Sequence, residues 1–372
     1  MRKVIKRFTS RRRRLVLVAA LMALVLTACD WRSFGFDAAH TRFNPETNAP
    51  SGLAPRWVTQ LPGGVESSPT ISKGIVYVGD SAVNDEVSAL DAVTGATIWT
   101  FSTDGDVSTS PAVAGGIVYF ASQNSTMYAV DAMTGALVWN VAIGPAVGSP
   151  NVVGGIVYIG STNGTVYALD TATGAAVWTF RTGGPVVGSS AVSGGILYIG
   201  STDHRVYALN SATGAMVWTF ATGDRVLASP AVSNGVVYIG SSDHNMYALN
   251  ATTGMLVWRV TTADRIQAAP AIVNGIVYVG SFDHRVYALS ATDGAVVWQV
   301  TLSAIVLASP SAANGVVYVA TTDGIVHELD AATGTNVAPP FATGAAVLVS
   351  SPAIANGVVY VGNLAGRVFA LA

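Results

Sequence analysis

Apolar residues run along the chain in clusters of four to six, separated by short polar or glycine-containing stretches. Clusters such as GIVYVGS lack the 3.6-residue period of an amphipathic helix and are too short for a helix, so they predict β-strands. They also lack strict alternation, which predicts strands buried on both faces of their sheets. The pattern therefore indicates an all-β protein whose sheets stack face to face.

A phrase of about forty residues, S-P-x-h-x-x-G-h-V-Y-h-G-S-x-x-x-x-h-Y-A-L-D-A-x-T-G-x-x-x-W, recurs eight times. The tyrosine of its VY pair falls at Tyr77, Tyr119, Tyr158, Tyr198, Tyr238, Tyr278, Tyr318 and Tyr360. Internal periods of this length are typical of propellers and solenoids.

Turn chemistry divides each repeat into four strands. Gly-Gly or Asn-Gly pairs, such as Gly115-Gly116 and Asn234-Gly235, favour the positive φ angles of a two-residue hairpin between strands one and two. A polar turn joins strands two and three, and DxxTG joins strands three and four, its Asp or Asn accepting backbone N–H bonds. Four-stranded antiparallel sheets at this spacing predict an eight-bladed β-propeller.

The last repeat ends at Ala372 without an outer strand, and repeat seven carries Ala338 where a tryptophan is expected. A spare outer strand lies near the other terminus, where Trp57 precedes Trp99 by one repeat length. We therefore expect residues 55–61 to supply the fourth strand of the blade begun by residues 349–372. Such closure pairs the termini and removes an exposed sheet edge.

The first residues read as an export address. Eight Lys and Arg lie within residues 1–14, an apolar stretch follows, and LTAC ends at Cys29. This order predicts a signal peptide over residues 1–28. LTAC resembles the bacterial lipobox, which implies that Cys29 is lipidated; an incidental cysteine at an ordinary cleavage site is the alternative. The run SRRRRL also partly resembles a twin-arginine signal.

Charge restricts the partners. The chain is 51% hydrophobic and 11% charged, which excludes disorder. Removing residues 1–28 leaves 21 acidic and 11 basic residues, a net charge of −10. Nucleic acid is not expected as a partner.

The repeat ALDAVTGATIW (Ala89 to Trp99) resembles the tryptophan-docking motif of the pyrroloquinoline-quinone (PQQ) propeller superfamily, and the resemblance extends over nearly all of residues 29–372. The N-terminal segment from Asp30 to Glu46 is similar to the opening phrase of quinoprotein dehydrogenases. In that superfamily the tryptophan of each blade stacks on the next blade. The resemblance thus implies structural docking roles for Trp57, Trp99, Trp139, Trp178, Trp218, Trp258 and Trp298.

Two kinds of relative carry different functions: quinoprotein alcohol or sugar dehydrogenases, which hold PQQ and Ca²⁺ over the axis, and BamB-like lipoproteins, which are scaffolds without a cofactor. A PQQ site needs several basic side chains and carboxylate or amide ligands for the cation. The eight positions expected at the axis are Glu66, Ser108, Val147, Val187, Leu227, Gln267, Leu307 and Val349. Glu66 and Gln267 are the axial candidates if a cofactor binds; polar residues on the rim are the other interpretation.

Polar residues also cluster in three consecutive repeats. This charged sector comprises Asp203, His204, Arg205, Asp224, Arg225, Asp243, His244, Asn245, Asp264, Arg265, Asp283, His284 and Arg285. Turns between strands two and three emerge on the same propeller face as the connectors between blades, so these residues are expected on one face. They are either solvated turn residues or a docking patch for a partner or an anionic ligand. A zinc site of the three histidines is disfavoured by their expected separation.

The sequence thus predicts three regions: a signal peptide (1–28), a lipidated N-terminal segment (29–54) and one monomeric propeller (55–372). The expected function is a non-catalytic, BamB-like scaffold that binds an envelope protein from the membrane, without a catalytic residue, metal or cofactor. A PQQ- and calcium-dependent dehydrogenase is the alternative.

Overall fold

The computed structural model describes residues 30–45, 50–81 and 85–372, and the predicted signal peptide and Cys29 lie outside this part of the chain. Eight four-stranded antiparallel sheets are arranged as the blades of a propeller. In chain order the strands are β1 Pro55–Gln60, β2 Thr70–Ser72, β3 Ile75–Gly79, β4 Glu86–Asp91, β5 Thr97–Ser102, β6 Ala112–Ala114, β7 Ile117–Ala121, β8 Thr126–Asp131, β9 Leu137–Ala142, β10 Asn151–Val153, β11 Ile156–Gly160, β12 Thr165–Asp170, β13 Ala176–Arg181, β14 Ala191–Ser193, β15 Ile196–Ser201, β16 Arg205–Asn210, β17 Met216–Ala221, β18 Ala231–Ser233, β19 Val236–Gly240, β20 Asn245–Asn250, β21 Leu256–Thr261, β22 Ala271–Val273, β23 Ile276–Gly280, β24 Arg285–Ser290, β25 Val296–Thr301, β26 Ser311–Ala313, β27 Val316–Ala320, β28 Ile325–Asp330, β29 Phe341–Ala342, β30 Ala353–Ala355, β31 Val358–Gly362 and β32 Arg367–Leu371.

Each blade follows the predicted order from the axis outward. Blade 1 is β2-β3-β4-β5, the next blades repeat this order, and blade 8 is β30-β31-β32-β1. The two-residue turns between first and second strands have positive φ at both positions, as at Gly115 (60°) and Gly116 (82°). In the turns between third and fourth strands the Asp caps its own loop: Asp91 Oδ1 accepts the backbone N–H groups of Val93 and Thr94. The turn chemistry read from the sequence therefore produces the blades.

The ring closes as predicted. β1 pairs with β32 in an antiparallel register that places Trp57 opposite Ala370. The indole N–H of Trp57 then donates to the carbonyl of Ala92 in blade 1, at 3.0 Å. One N-terminal strand thus completes blade 8 and holds it against blade 1.

The missing last turn of blade 8 is replaced by residues 50–54. Glu328 stands where other repeats have alanine, and its carboxylate accepts the backbone N–H groups of Gly52 and Leu53, each at 3.1 Å. Tyr318 donates its hydroxyl to the carbonyl of Pro50. Blade 7 has Ala338 where the repeat expects a tryptophan, and the sequence shows only that this repeat is irregular. In the structure, Glu328 of the same blade binds the segment that replaces the missing turn.

Neighbouring blades are joined by a repeated contact, in which a Trp and a Tyr of one blade donate to a backbone carbonyl of the next blade. We call this contact the aromatic lock. The Trp99 indole N–H and the Tyr77 hydroxyl both donate to the carbonyl of Ala132 in the next blade, at 3.0 Å each. The Trp99 ring lies over Gly135, where a Cβ atom would meet the ring at 2.8 Å. The other tryptophans of the outer strands donate in the same way to a carbonyl of the next blade: Trp57 to Ala92, Trp139 to Thr171, Trp178 to Ser211, Trp218 to Ala251, Trp258 to Ala291 and Trp298 to Ala331.

The N-terminal segment (residues 30–44) crosses the inner strands and closes one mouth of the central channel. Its backbone carbonyls accept inner-strand N–H groups from successive blades, from Ile71 to Trp31, Val113 to Arg32, Val192 to Ala38, Val232 to Ala39, Ile272 to Thr41 and Ala312 to Arg42. Side-chain amides complete the circuit in blades 3 and 8, where Asn151 donates to the Ala38 carbonyl and Asn44 donates to the Ile354 carbonyl. The segment therefore satisfies backbone groups of seven inner strands and the side-chain amide of Asn151 on the eighth.

We call the side bearing this segment the hairpin face, because the two-residue turns also lie there; the opposite side is the connector face. Nowhere in the described ranges does a helix have the length and apolarity needed to cross a membrane.

Candidate functional site: the axial pocket and the connector face

All eight predicted axial positions line a single pocket on the propeller axis. Its volume is about 330 Å³. The residues at these positions are Glu66, Ser108, Val147, Val187, Leu227, Gln267, Leu307 and Val349, taken from the connectors that enter blades 1 to 8. Apolar side chains therefore make most of the wall, and polar groups enter from three of the eight connectors.

Below this wall the serine two residues before each inner strand, present in seven of the eight blades, links adjacent inner strands. The Ser149 hydroxyl accepts the backbone N–H of Ser110 at 2.9 Å, and the pattern passes around the axis through Ser189, Ser229, Ser309, Ser351, Ser68 and Ser110. Ala269 occupies the eighth position and has no hydroxyl to accept the N–H of Ser229. The seven serines thus hold the axis together, and their small side chains leave room for the pocket.

Phe34 forms the floor of the pocket, and a cation is buried beneath it. Arg42 is 1% exposed, and its guanidinium lies 4.8 Å from the centre of the Phe34 ring. Nε donates to the Pro310 carbonyl at 2.8 Å and one terminal nitrogen donates to the Ser311 hydroxyl at 3.0 Å. Burial lowers the pKa of Arg42 to about 9. Carbonyls, a hydroxyl and aromatic faces therefore stabilise this charge in place of a carboxylate.

The lining of the axial pocket does not suit PQQ with calcium. PQQ carries three carboxylates, yet no Arg or Lys is among the described residues that line the pocket, and Phe34 separates Arg42 from it. Glu66 is the one carboxylate among the described lining residues. Burial and the nearby negative charge of Asp106 raise the pKa of Glu66, so this part of the pocket is unfavourable for a further negative charge. Glu66 and Gln267 enter from connectors three positions apart around the ring. We derive no redox step from this donor set.

Three aspartates of the charged sector, each in a turn between second and third strands, bind groups of the propeller itself. Asp203 accepts the Tyr207 hydroxyl and the backbone N–H of Gly183, both at 2.6 Å, and so ties its turn to the preceding connector. Asp243 makes the same pair of contacts with Tyr247 and Gly223. Asp283 does so with Tyr287 and Ala263. In each of these aspartates Oδ2 is therefore bound by the tyrosine of its own blade and by the preceding connector.

On the connector face the three histidines and three of the arginines of the charged sector are exposed, and Arg285 is half-buried. His204, His244 and His284 occupy left-handed turn positions with φ of 68–69°. His204 and His244 lie 3.7 and 3.9 Å from carboxylate oxygens of Asp224 and Asp264. Asp224 and Asp264 also accept the backbone N–H groups of Arg225 and Arg265. The Arg265 guanidinium lies 4.1 Å from the centre of the Phe282 ring.

The charged sector thus presents exposed hydrogen-bond donors on turns and connectors that the aspartate contacts hold in place. Arg205 and Arg285 begin β16 and β24, and Asn245 begins β20. In the described ranges no group of three or more His, Cys, Asp or Glu residues could hold a metal ion. The axial pocket and the charged sector share the connector face, since Leu227 lines the pocket two residues after Arg225.

Comparison with known proteins places these features in a family. The family model described as outer membrane protein assembly factor BamB matches residues 83–193, 162–269 and 246–372. No curated protein matches the chain by sequence.

Solved structures share the fold at low identity. The crystal structure of BamB from Moraxella catarrhalis is 20% identical with a TM-score of 0.74, covering 86% of this chain and 99% of that one. Quinohemoprotein alcohol dehydrogenase from Comamonas testosteroni is 18% identical with a TM-score of 0.80, covering 92% and 80%. A europium-containing methanol dehydrogenase is 15% identical with a TM-score of 0.78, covering 90% of each chain. By its repeats and the matches along most of its length, the chain belongs to the BamB-like family of PQQ-repeat β-propellers.

Proposed function

We propose that this protein is a non-catalytic envelope lipoprotein, anchored through Cys29, that binds a protein partner with the charged sector of its connector face. The observation that carries this proposal is the contrast between two sites on one face. The axial pocket offers one carboxylate and no basic side chain, whereas the charged sector offers exposed arginines and histidines on rigid turns. Rigid, exposed arginine is a frequent anchor of protein interfaces.

The adjacent Asp–His and Asp–Arg contacts favour a partner with a mixed polar surface. Asp224 and Asp264 are shared between a histidine and an arginine, so the sector carries both signs of charge. Both signs on one rigid surface favour orientation and specificity, and salt should weaken the encounter.

Site-specific photo-crosslinking in the native envelope tests this proposal. A benzoylphenylalanine replaces Arg225 or Arg265 in the sector, and the matched control replaces exposed Pro145 at the equivalent position of the connector that enters blade 3. We expect one discrete crosslinked envelope protein from both sector positions and none from position 145. Equal crosslinking from all three positions, or none from the sector, would argue against a docking surface there.

The second candidate is a quinoprotein dehydrogenase, favoured by the axial pocket and by the fold that the chain shares with the alcohol and methanol dehydrogenases. In that function Glu66 and Gln267 would supply ligands to calcium. The absence of basic groups from the pocket lining makes this the weaker candidate.

A further inference from the structure

The described chain begins on blade 1 of the hairpin face. Asp30 accepts the backbone N–H of Lys73 at 3.0 Å and the Ser72 hydroxyl at 3.2 Å. The carbonyl of Trp31 accepts the N–H of Ile71 at 2.7 Å. Because Cys29 directly precedes Asp30, a lipid on Cys29 lies within one residue of this fixed point.

At the turn position two residues after the end of the third strand, blades 1 and 2 carry large apolar side chains. Val93 in blade 1 is 81% exposed and Met133 in blade 2 is 63% exposed. The corresponding residues of blades 3 to 7 are small or polar, namely Ala172, Ala212, Thr252, Thr292 and Ala332. Met255 of blade 5 is also exposed (70%), at a later position of its turn, so exposed apolar residues are not confined to blades 1 and 2. What distinguishes Val93 and Met133 is that their blades are neighbours and lie beside the start of the described chain, which suggests a contact there.

A basic residue interrupts the repeat at the same place. Blade 1 has exposed Lys73 at the first position of its two-residue turn, where the other blades have Gly115, Gly154, Gly194, Asn234, Asn274, Asn314 and Asn356. Lys73 keeps the left-handed φ of 50° that glycine and asparagine adopt more readily. Local turn geometry therefore does not explain the choice of lysine.

These departures from the repeat are neighbours in space. Lys73, Met133 and Arg32 line one groove of about 190 Å³. The Arg32 side chain is 58% exposed and donates to the buried Asp30 carboxylate at 3.0 Å, so Lys73 is the cation of the groove without a carboxylate partner of its own in this contact. The N–H of Ala92 donates to the carbonyl of Gly74, which sets the turn of Val93 beside that of Lys73. The carboxylate of Asp91 is held by its own turn through Thr94 and Val93. Two basic and two apolar side chains thus surround the point where the chain leaves for Cys29.

We propose that blades 1 and 2 of the hairpin face rest on the surface of a phospholipid bilayer. Val93 and Met133 enter the boundary between headgroups and acyl chains, while Lys73 and Arg32 contact lipid phosphates, a combination that favours interfacial binding. This inference rests on the anchor proposed above and adds an orientation to it. The connector face, with the axial pocket and the charged sector, then points away from the membrane toward soluble partners.

Fluorescence quenching by lipid-borne doxyl groups tests the contact on the full-length lipoprotein reconstituted in vesicles of phosphatidylcholine and phosphatidylglycerol. The lipid consumes the thiol of Cys29, the one cysteine of the sequence, so an introduced cysteine is the single thiol available for an NBD probe. The variant is Met133→Cys, and the matched control is Thr292→Cys at the same turn position in blade 6, whose turn carries no large apolar side chain. We expect quenching to be stronger at position 133 by about twofold or more, because the probe enters the interface there.

A charge variant follows from the repeat itself. Lys73→Asn introduces the residue that four other blades carry in this turn, so the fold is retained. We expect it to weaken quenching at position 133 on anionic vesicles and to have little effect on vesicles of phosphatidylcholine alone.

Co-flotation with the vesicles separates the failures. Protein that floats but shows equal quenching at positions 133 and 292 would overturn the lipid contact while leaving the anchor intact. Protein that does not float, with an unmodified Cys29 by mass spectrometry, would overturn the anchor and this orientation together.

Discussion

The buried side chains of the N-terminal segment couple stability to pH at the scale of single residues. His40 is fully buried, and burial together with the positive charge of Arg42 lowers its pKa to about 3. Between this value and the ordinary pKa near 6.5, the unfolded chain binds a proton that the folded chain excludes. The contribution of His40 to the free energy of unfolding therefore falls as pH decreases below 6.5, by about 1.4 kcal/mol per pH unit.

We predict that His40→Asn weakens the pH dependence of stability between pH 7 and pH 5. Asparagine tolerates the positive φ at this position (58°) and does not titrate. Urea unfolding at both pH values measures the change, with His204→Asn as the control because His204 is an exposed histidine with a similar φ. An unchanged pH dependence in His40→Asn would contradict a neutral, buried His40.

The serine ring suggests a stabilising substitution. Ala269→Ser supplies the missing acceptor for the N–H of Ser229, and serine already fits the corresponding position in the other seven blades. We expect a gain of about 0.5–1.5 kcal/mol in the free energy of unfolding, the usual net value of one hydrogen bond. Urea unfolding gives the value, and a loss of stability would show that the ring is closed more tightly at blade 6 than elsewhere.

At the scale of elements, closure of the propeller depends on one strand of six residues. Trp57→Ala removes the lock between blades 8 and 1 and should cost about 3–5 kcal/mol, the usual range for truncating a large core side chain. Hydrogen exchange should then increase in β1 and in β30–β32 together. The control is Trp178→Ala, which removes the same lock between blades 3 and 4 and should leave the terminal strands protected. Loosening of only one terminus in Trp57→Ala would contradict joint closure.

The repeating elements could be predicted because each is specified locally. Gly-Gly and Asn-Gly pairs determine the hairpins, the Asp of DxxTG caps its own turn, and the spacing from Trp57 to Trp99 reveals the strand that closes the ring. The eight axial positions also follow from the repeat, since equivalent residues of equivalent blades point to one axis.

The path of the N-terminal segment could not be predicted, because the sequence of residues 30–44 occurs once and has no periodicity. Their binding depends on backbone carbonyls, which leave little trace in side-chain identity, and the irregular φ values at Phe36, His40 and Arg42 follow from contacts with blades far along the chain. The roles of Asp203, Asp243 and Asp283 had a signal in the tyrosine four residues later. That spacing acquires meaning only once both residues are placed on one blade.

At the scale of the whole molecule, the two faces have different chemistry. The hairpin face carries the N-terminal segment and the cluster of Arg32, Lys73, Val93 and Met133. The connector face carries the axial pocket and the exposed hydrogen-bond donors of the charged sector. In the proposed orientation, with one face toward a membrane and the other toward solvent, the ring is suited to holding a partner at a fixed distance and orientation. Solved propellers of the same fold include dehydrogenases, so the shared fold does not decide the function and the lining of the axis must.

The claim that this propeller recognises a partner and does not catalyse a quinone-dependent reaction is tested most directly at the axis. Residues 30–372 are titrated calorimetrically with PQQ in the presence of Ca²⁺, and dye reduction is then measured with simple alcohols and sugars. We predict no saturable binding and no turnover, because the pocket lacks basic groups for three carboxylates and Glu66 lies in a negative environment. Saturable one-to-one binding with turnover would contradict the account and would make Glu66 and Gln267 the first residues to substitute.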